Sequence, residues 1–101
     1  MIRVYVSHPY GGKIKNKLAV QEKIELLYKL CPCNNYISPI HLYGYRYDKL
    51  PYAVGMLYCI DELRTCDKMI VCGDYKDSRG CLEEIMYAKN HNIPIEYEGG
   101  E

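Results

Sequence analysis

The stretch Met69–Ala88, MIVCGDYKDSRGCLEEIMYA, decides the fold. Met69-Ile70-Val71-Cys72 is an apolar run of the length expected for a buried strand. Gly73-Asp74-Tyr75-Lys76-Asp77 supplies turn chemistry, and Ser78-Arg79-Gly80 opens a segment with Leu82, Ile85 and Met86 at helical spacing. A strand, a short polar loop and a helix start with a small residue at its mouth together form an anion cradle. The free N–H groups of the first turn point at the ligand, and Gly80 allows it close to the backbone. Glu83 and Glu84 fall within the first turn and a half, beside such a ligand. Helical periodicity does not choose between them.

Outward from this stretch, composition sets the bounds. A chain of 101 residues with 49% hydrophobic and 26% charged residues reads as one globular domain spanning 1–101. Lys+Arg and Asp+Glu are equal at 13 each, so no basic face for nucleic acid is implied. A strand directly after Met1 leaves no room for a signal peptide, and no apolar run reaches membrane-spanning length. The expectation is a cytoplasmic protein with no membrane partner. In a reducing compartment the six cysteines are not expected to form disulfides. Cys31-Pro32-Cys33 has too short a spacer for a zinc knuckle, and no second pair follows, so neither metal nor cofactor is expected. Twelve tyrosines with no Phe or Trp suggest that Tyr fills the core in place of Phe. Tyr43, Tyr45 and Tyr47 stand apart because they cluster in an expected loop.

Ile2–Ser7 (IRVYVS) is β-branched and apolar, a central strand. His8-Pro9-Tyr10-Gly11-Gly12 cannot continue it and forms a loop. Ile14–Leu30 has Val20, Ile24, Leu27 and Cys31 along one helical face, and Pro32 ends it. Tyr36-Ile37-Ser38 is a short strand. Ile40–Pro51 is expected to be the longest irregular piece, too aromatic for disorder and therefore a candidate functional loop. Tyr52–Thr65 is helical, with Met56, Leu57, Ile60 and Leu63 at the right spacing, and Ile93–Tyr97 is an edge strand.

Alternating β-α-β-α-β-α-β predicts a small Rossmann-like, flavodoxin-type α/β fold. Its four parallel strands take the order 2-1-3-4, flanked by helices. The ligand crevice then lies outside the C-terminal strand ends, between the first and third strands. Three loops meet there: His8–Gly12, Gly73–Gly80 and Ser38–Pro51. Among their residues His8 and His41 are expected to touch ligand, whereas His91 reads as a helix-end residue.

At these residues the chain resembles the nucleoside 2-deoxyribosyltransferase-like superfamily, and within it the small uncharacterised domains of bacteria and their phages. VYVSHPYGG, SPIHLYGY and LRTCDKMIVCGDYKDSRGCLEEIMYAKNHNIPI carry the likeness. Gly80-Cys81-Leu82-Glu83-Glu84-Ile85-Met86-Tyr87-Ala88 stands at the enzymes' G-T-x-x-E-I-G-Y-A, placing Glu84 at the catalytic glutamate. His8 stands where the enzymes carry Gly, Cys81 replaces Thr, and Met86 replaces Gly.

The resemblance implies a nucleoside or nucleotide partner and chemistry at its N-glycosidic bond. Glu84 would stabilise or trap the oxocarbenium at C1′, and Asp74 or Asp77 would protonate the leaving base. Ser78 and Gly80, with Arg79 or Lys13, would hold a 5′-phosphate. Ser7, His8, Pro9, Tyr10, Gly11 and Gly73 would complete the ligand site, with His41 and Tyr43 reaching in from the middle loop. The alternative is a protein that sequesters or senses a nucleotide signal of ADP-ribose type without turnover, which suits a compact phage counter-defence protein. Related enzymes complete their sites across a subunit boundary. At least a homodimer is therefore expected, through the Tyr52–Thr65 helix.

Overall fold

The computed structural model describes residues 1–98. Four parallel strands, β1 (Arg3–Ser7), β2 (Asn35–Ile37), β3 (Lys68–Val71) and β4 (Ile95–Tyr97), pair in the order β2-β1-β3-β4. Register runs from Val4 opposite Lys68 to Ser7 opposite Val71, so β1 and β3 end level with one another. This is the expected sheet. β4 is shorter than expected: Pro94 stays outside it and contributes only its carbonyl, which accepts from Met69 N–H at 2.9 Å.

Strand alternation divides the core between two faces. Tyr5, Met69 and Val71 pack with Cys59, Leu63, Ile85 and Ala88 on the side covered by α4 (Tyr52–Leu63) and α5 (Arg79–Asn90). Val4, Val6, Ile70 and Cys72 pack with Val20 on the side covered by α1 (Ile14–Leu30). Burial on both faces explains why β1 and β3 read as continuous apolar runs.

Two expectations need correction. The stretch after Ser38 is not irregular. It folds into α2 (Pro39–Tyr43) and α3 (Tyr45–Asp48), separated by Gly44 at φ 56°. Pro39 suits a first helical position because its missing N–H would have no helical partner there. The buried stripe of α5 is also not Leu82, Ile85 and Met86. It is Cys81, Glu84, Ile85 and Ala88, whereas Leu82 and Met86 are exposed.

At the β2 edge the Tyr36 N–H donates to the Tyr28 hydroxyl at 3.3 Å, and the two rings meet edge-to-face at 4.7 Å. Among the described residues no helix is long and apolar enough to cross a membrane.

Candidate active site

Tyr5 and Ser7 lie two apart on β1 and so project to the same face, toward α5. There both hydroxyls donate to one carboxylate. Ser7 Oγ donates to Glu84 Oε1 at 2.7 Å, and Tyr5 OH donates to Glu84 Oε2. Glu84 is only 7% exposed. Burial pushes its pKa up, while the hydrogen bonds from Tyr5 and Ser7 pull it down. Tyr5, fully enclosed beside the carboxylate, has its own pKa raised well above the phenol range, burial being the first cause.

Glu84 lines a cavity of about 430 Å³ at the C-terminal end of β1. One wall is the loop after β1 (His8, Tyr10, Gly11, Gly12), another is α2 and α3 (Pro39, Ile40, Tyr47, Asp48). The start of α4 (Pro51, Tyr52, Gly55, Met56, Cys59) and the first turn of α5 (Gly80, Cys81) complete it. Hydrogen bonding toward Asp48, followed by burial, raises the Tyr10 phenol to about 12. Tyr52 OH donates to Glu83 Oε2 at 2.9 Å, and burial followed by Glu83 raises Tyr52 to about 12. Among the described residues the charged or titratable lining outside the tyrosines and cysteines is Asp48, Glu84 and His8, with no Lys or Arg.

Of the residues nominated from sequence, Ser7, His8, Tyr10, Gly11, Gly80 and Glu84 meet in this cavity. The others are placed elsewhere. Asp74 and Asp77 line two other cavities, one with Tyr75 and Tyr97 and one with Pro9, Lys13 and Lys15. His8 stands in the wall shared by the latter cavity and the Glu84 cavity. His41 lines a cavity of about 550 Å³ over the β2 edge, with Arg3, Glu25 and Glu62. Its Nδ1 lies 3.0 Å from Ser38 Oγ, and burial followed by Lys17 lowers its pKa. Tyr43 packs against Tyr58 at 5.1 Å and Tyr47 at 6.4 Å.

Ser78 Oγ accepts from Cys81 N–H at 3.2 Å, capping α5 and occupying one donor of the anticipated phosphate cradle. The Arg79 guanidinium lies over the Tyr52 ring at 4.6 Å and bonds Glu83 at 3.3 Å. Gly73 has φ 67°, and its N–H donates to Glu98 Oε1 at 3.2 Å. A β-carbon there would meet His8 Nε2 at 2.9 Å, so glycine permits the imidazole to pack between the loops.

Sequence reasoning did not nominate Tyr5, Asp48, Tyr52 or Cys59. Tyr5 carries a usable signal: it is a polar-tipped residue of the central strand, two before Ser7 and therefore on the same face. Asp48 carries none, because a lone acid in a short segment has no pattern. Among the described residues no group of three or more His, Cys, Asp or Glu is placed to hold a metal ion.

The four-stranded parallel sheet, with its cavity at the C-terminal end of β1, has a nucleoside 2-deoxyribosyltransferase-like fold. The structure is similar to a 2-deoxyribosyltransferase from the psychrotolerant bacterium Bacillus psychrosaccharolyticus, with a TM-score of 0.72 and 14% identity, over 94% of this chain and 70% of that one. Residues 2–97 match the family described as a domain of unknown function, DUF4406, and the chain belongs to it. No curated protein matches the sequence significantly.

Proposed function

We propose that the chain binds a nucleoside or nucleotide in the Glu84 cavity and cleaves or transfers its N-glycosidic bond. One observation carries this reading: a buried carboxylate held on both oxygens by strand hydroxyls, facing a cavity of ligand size. When the bond from C1′ to the base nitrogen breaks, its electron pair leaves with the base and C1′ becomes cationic. The Glu84 carboxylate then stabilises that centre or bonds to it, and water or a second base takes the sugar. Each Glu84 oxygen has a second lone pair beyond the one used by Tyr5 or Ser7, so holding the group does not exhaust it. Tyr10, Tyr47 and Tyr52 supply aromatic faces for a base. Lining carboxylates without a Lys or Arg support an uncharged ligand over one with phosphate inside the cavity.

A second reading is binding without turnover, as in sequestration or sensing of a nucleotide signal. The position of Asp74 and Asp77 in other cavities favours it, since neither nominated acid stands beside Glu84. Glu84→Gln separates the two, because it keeps shape and removes charge. For an enzyme, base release falls by orders of magnitude while affinity measured by titration calorimetry holds. For a sequestering protein, affinity changes and neither form releases base. Absence of both binding and release across a nucleoside and nucleotide panel would reject both readings.

A further inference from the structure

Tyr52 is the first residue of α4, directly after Pro51. Helical side chains lean back over the turn that precedes them, and here there is none, so α4 alone does not fix the ring. Residues of α5 do. The Tyr52 hydroxyl donates to Glu83 Oε2 at 2.9 Å, and Oε1 of the same carboxylate accepts from Arg79 Nε at 3.3 Å. The Arg79 guanidinium closes the triangle, lying over the Tyr52 ring at 4.6 Å from its centroid. Ring, carboxylate and cation thus hold one another at the seam between the two helices. Tyr52 lines the Glu84 cavity, whereas Glu83 and Arg79 do not.

The other aromatic walls are already engaged. Tyr10 and Tyr47 pack on one another at 6.0 Å, and Tyr47 also stacks on Tyr43 at 6.4 Å. Among the described residues no aromatic ring packs on Tyr52. We propose that Tyr52 is the platform on which the base of a nucleoside stacks, through the ring face that Arg79 leaves open, and that Glu83 is the positioning residue that holds it there. This rests on the reading of the Glu84 cavity as a nucleoside site. The two adjacent acids of α5 then have separate tasks: Glu84 meets the sugar from the core, and Glu83, half-buried, steadies the wall for the base. Burial followed by the Glu83 bond raises the Tyr52 phenol to about 12, so it keeps the proton it donates. Stacking grows with the π surface of the base, so a purine nucleoside gains more from this wall than a pyrimidine one.

The test uses adenosine and uridine as probes, with affinity from titration calorimetry and the adenine H2 and H8 shifts from NMR. Wild type should bind adenosine the more tightly and move both protons upfield. Tyr52→Leu should weaken adenosine roughly tenfold, uridine by less, and reduce the upfield shift. Tyr52→Phe and Glu83→Ala each break the hydroxyl–carboxylate bond and should each weaken adenosine about threefold. The double variant should be no worse than Glu83→Ala, because both changes remove one bond. Glu83→Gln, which keeps an acceptor for the hydroxyl, should return affinity toward wild type. An adenosine-to-uridine ratio and proton shifts unchanged in Tyr52→Leu overturn the platform. Glu83→Ala equal to wild type, additive losses in the double variant, or Glu83→Gln no better than Ala overturn the positioning role. A wild-type chain that binds neither probe fails the nucleoside reading itself, and the platform with it.

Discussion

Ser7 Oγ donates to Glu84 Oε1 at 2.7 Å, linking residues 77 apart in the chain. The bond ties the last residue of β1 to the second turn of α5, across the face on which Tyr5 also lies. A carboxylate is thus built into the core at the seam between a strand end and a helix start.

That placement makes stability depend on pH. Burial raises the folded pKa of Glu84 above its unfolded value, so the folded chain holds the proton more tightly. The resulting stabilisation is whole below the unfolded carboxylate range and is lost as pH climbs through the folded pKa. Glu84→Gln does not titrate, and the Tyr5 and Ser7 hydroxyls can rotate to suit the amide. Calorimetric melts from roughly pH 4 to 8 should show the variant gaining in Tm over wild type as pH rises. A Tm difference that stays constant with pH would contradict a raised Glu84.

The cavity's charge balance predicts ligand preference. A nucleoside should bind at least about tenfold more tightly than its 5′-monophosphate, because Asp48 and Glu84 meet the phosphate without a lining Lys or Arg. Asp48→Asn and added salt should each narrow the gap in titration calorimetry. Tighter binding of the monophosphate would place the phosphate on the Lys13 side of His8 instead.

Gly73→Ala tests the joint between the β1 and β3 loops. The imidazole of His8 can turn aside, but the φ of 67° remains and disfavours any β-carbon. The expected loss is about 1–2 kcal/mol in urea unfolding. His8→Ala in the same background should recover only the steric part.

Assembly through α4 is the fourth expectation. Leu57 is 69% exposed on α4 and Met86 65% on α5, two helices that pack side by side. Light scattering should report a homodimer or larger assembly, and Leu57→Glu should dissociate it. A wild-type monomer at high concentration would refute pairing on this face.

The sheet order is legible in the sequence because β1 and β3 are buried on both faces and read as unbroken apolar runs. The segment over the cavity is not. Helices of five and four residues are too short to show a period, and Gly44 breaks even that. Glu84 is legible in part. Leu82 and Met86 draw the eye as the apolar stripe, but counting Cys81 and Ala88 as buried places Glu84 on the inward face. The separation of Asp74 and Asp77 from Glu84 depends on how the short 3₁₀ turn Tyr75–Asp77 aims their side chains, which no local pattern encodes.

The Tyr28 hydroxyl at the β2 edge occupies the place where the carbonyl of an incoming strand would sit. An open sheet border with a free N–H is a template on which further chains can stack, and repeated addition ends in fibres. Here a phenol from the chain's own helix takes that N–H, and its ring stands in the path of a new strand. The same tyrosine that packs edge-to-face on Tyr36 therefore leaves the β2 edge one free donor fewer for a neighbouring strand to pair with.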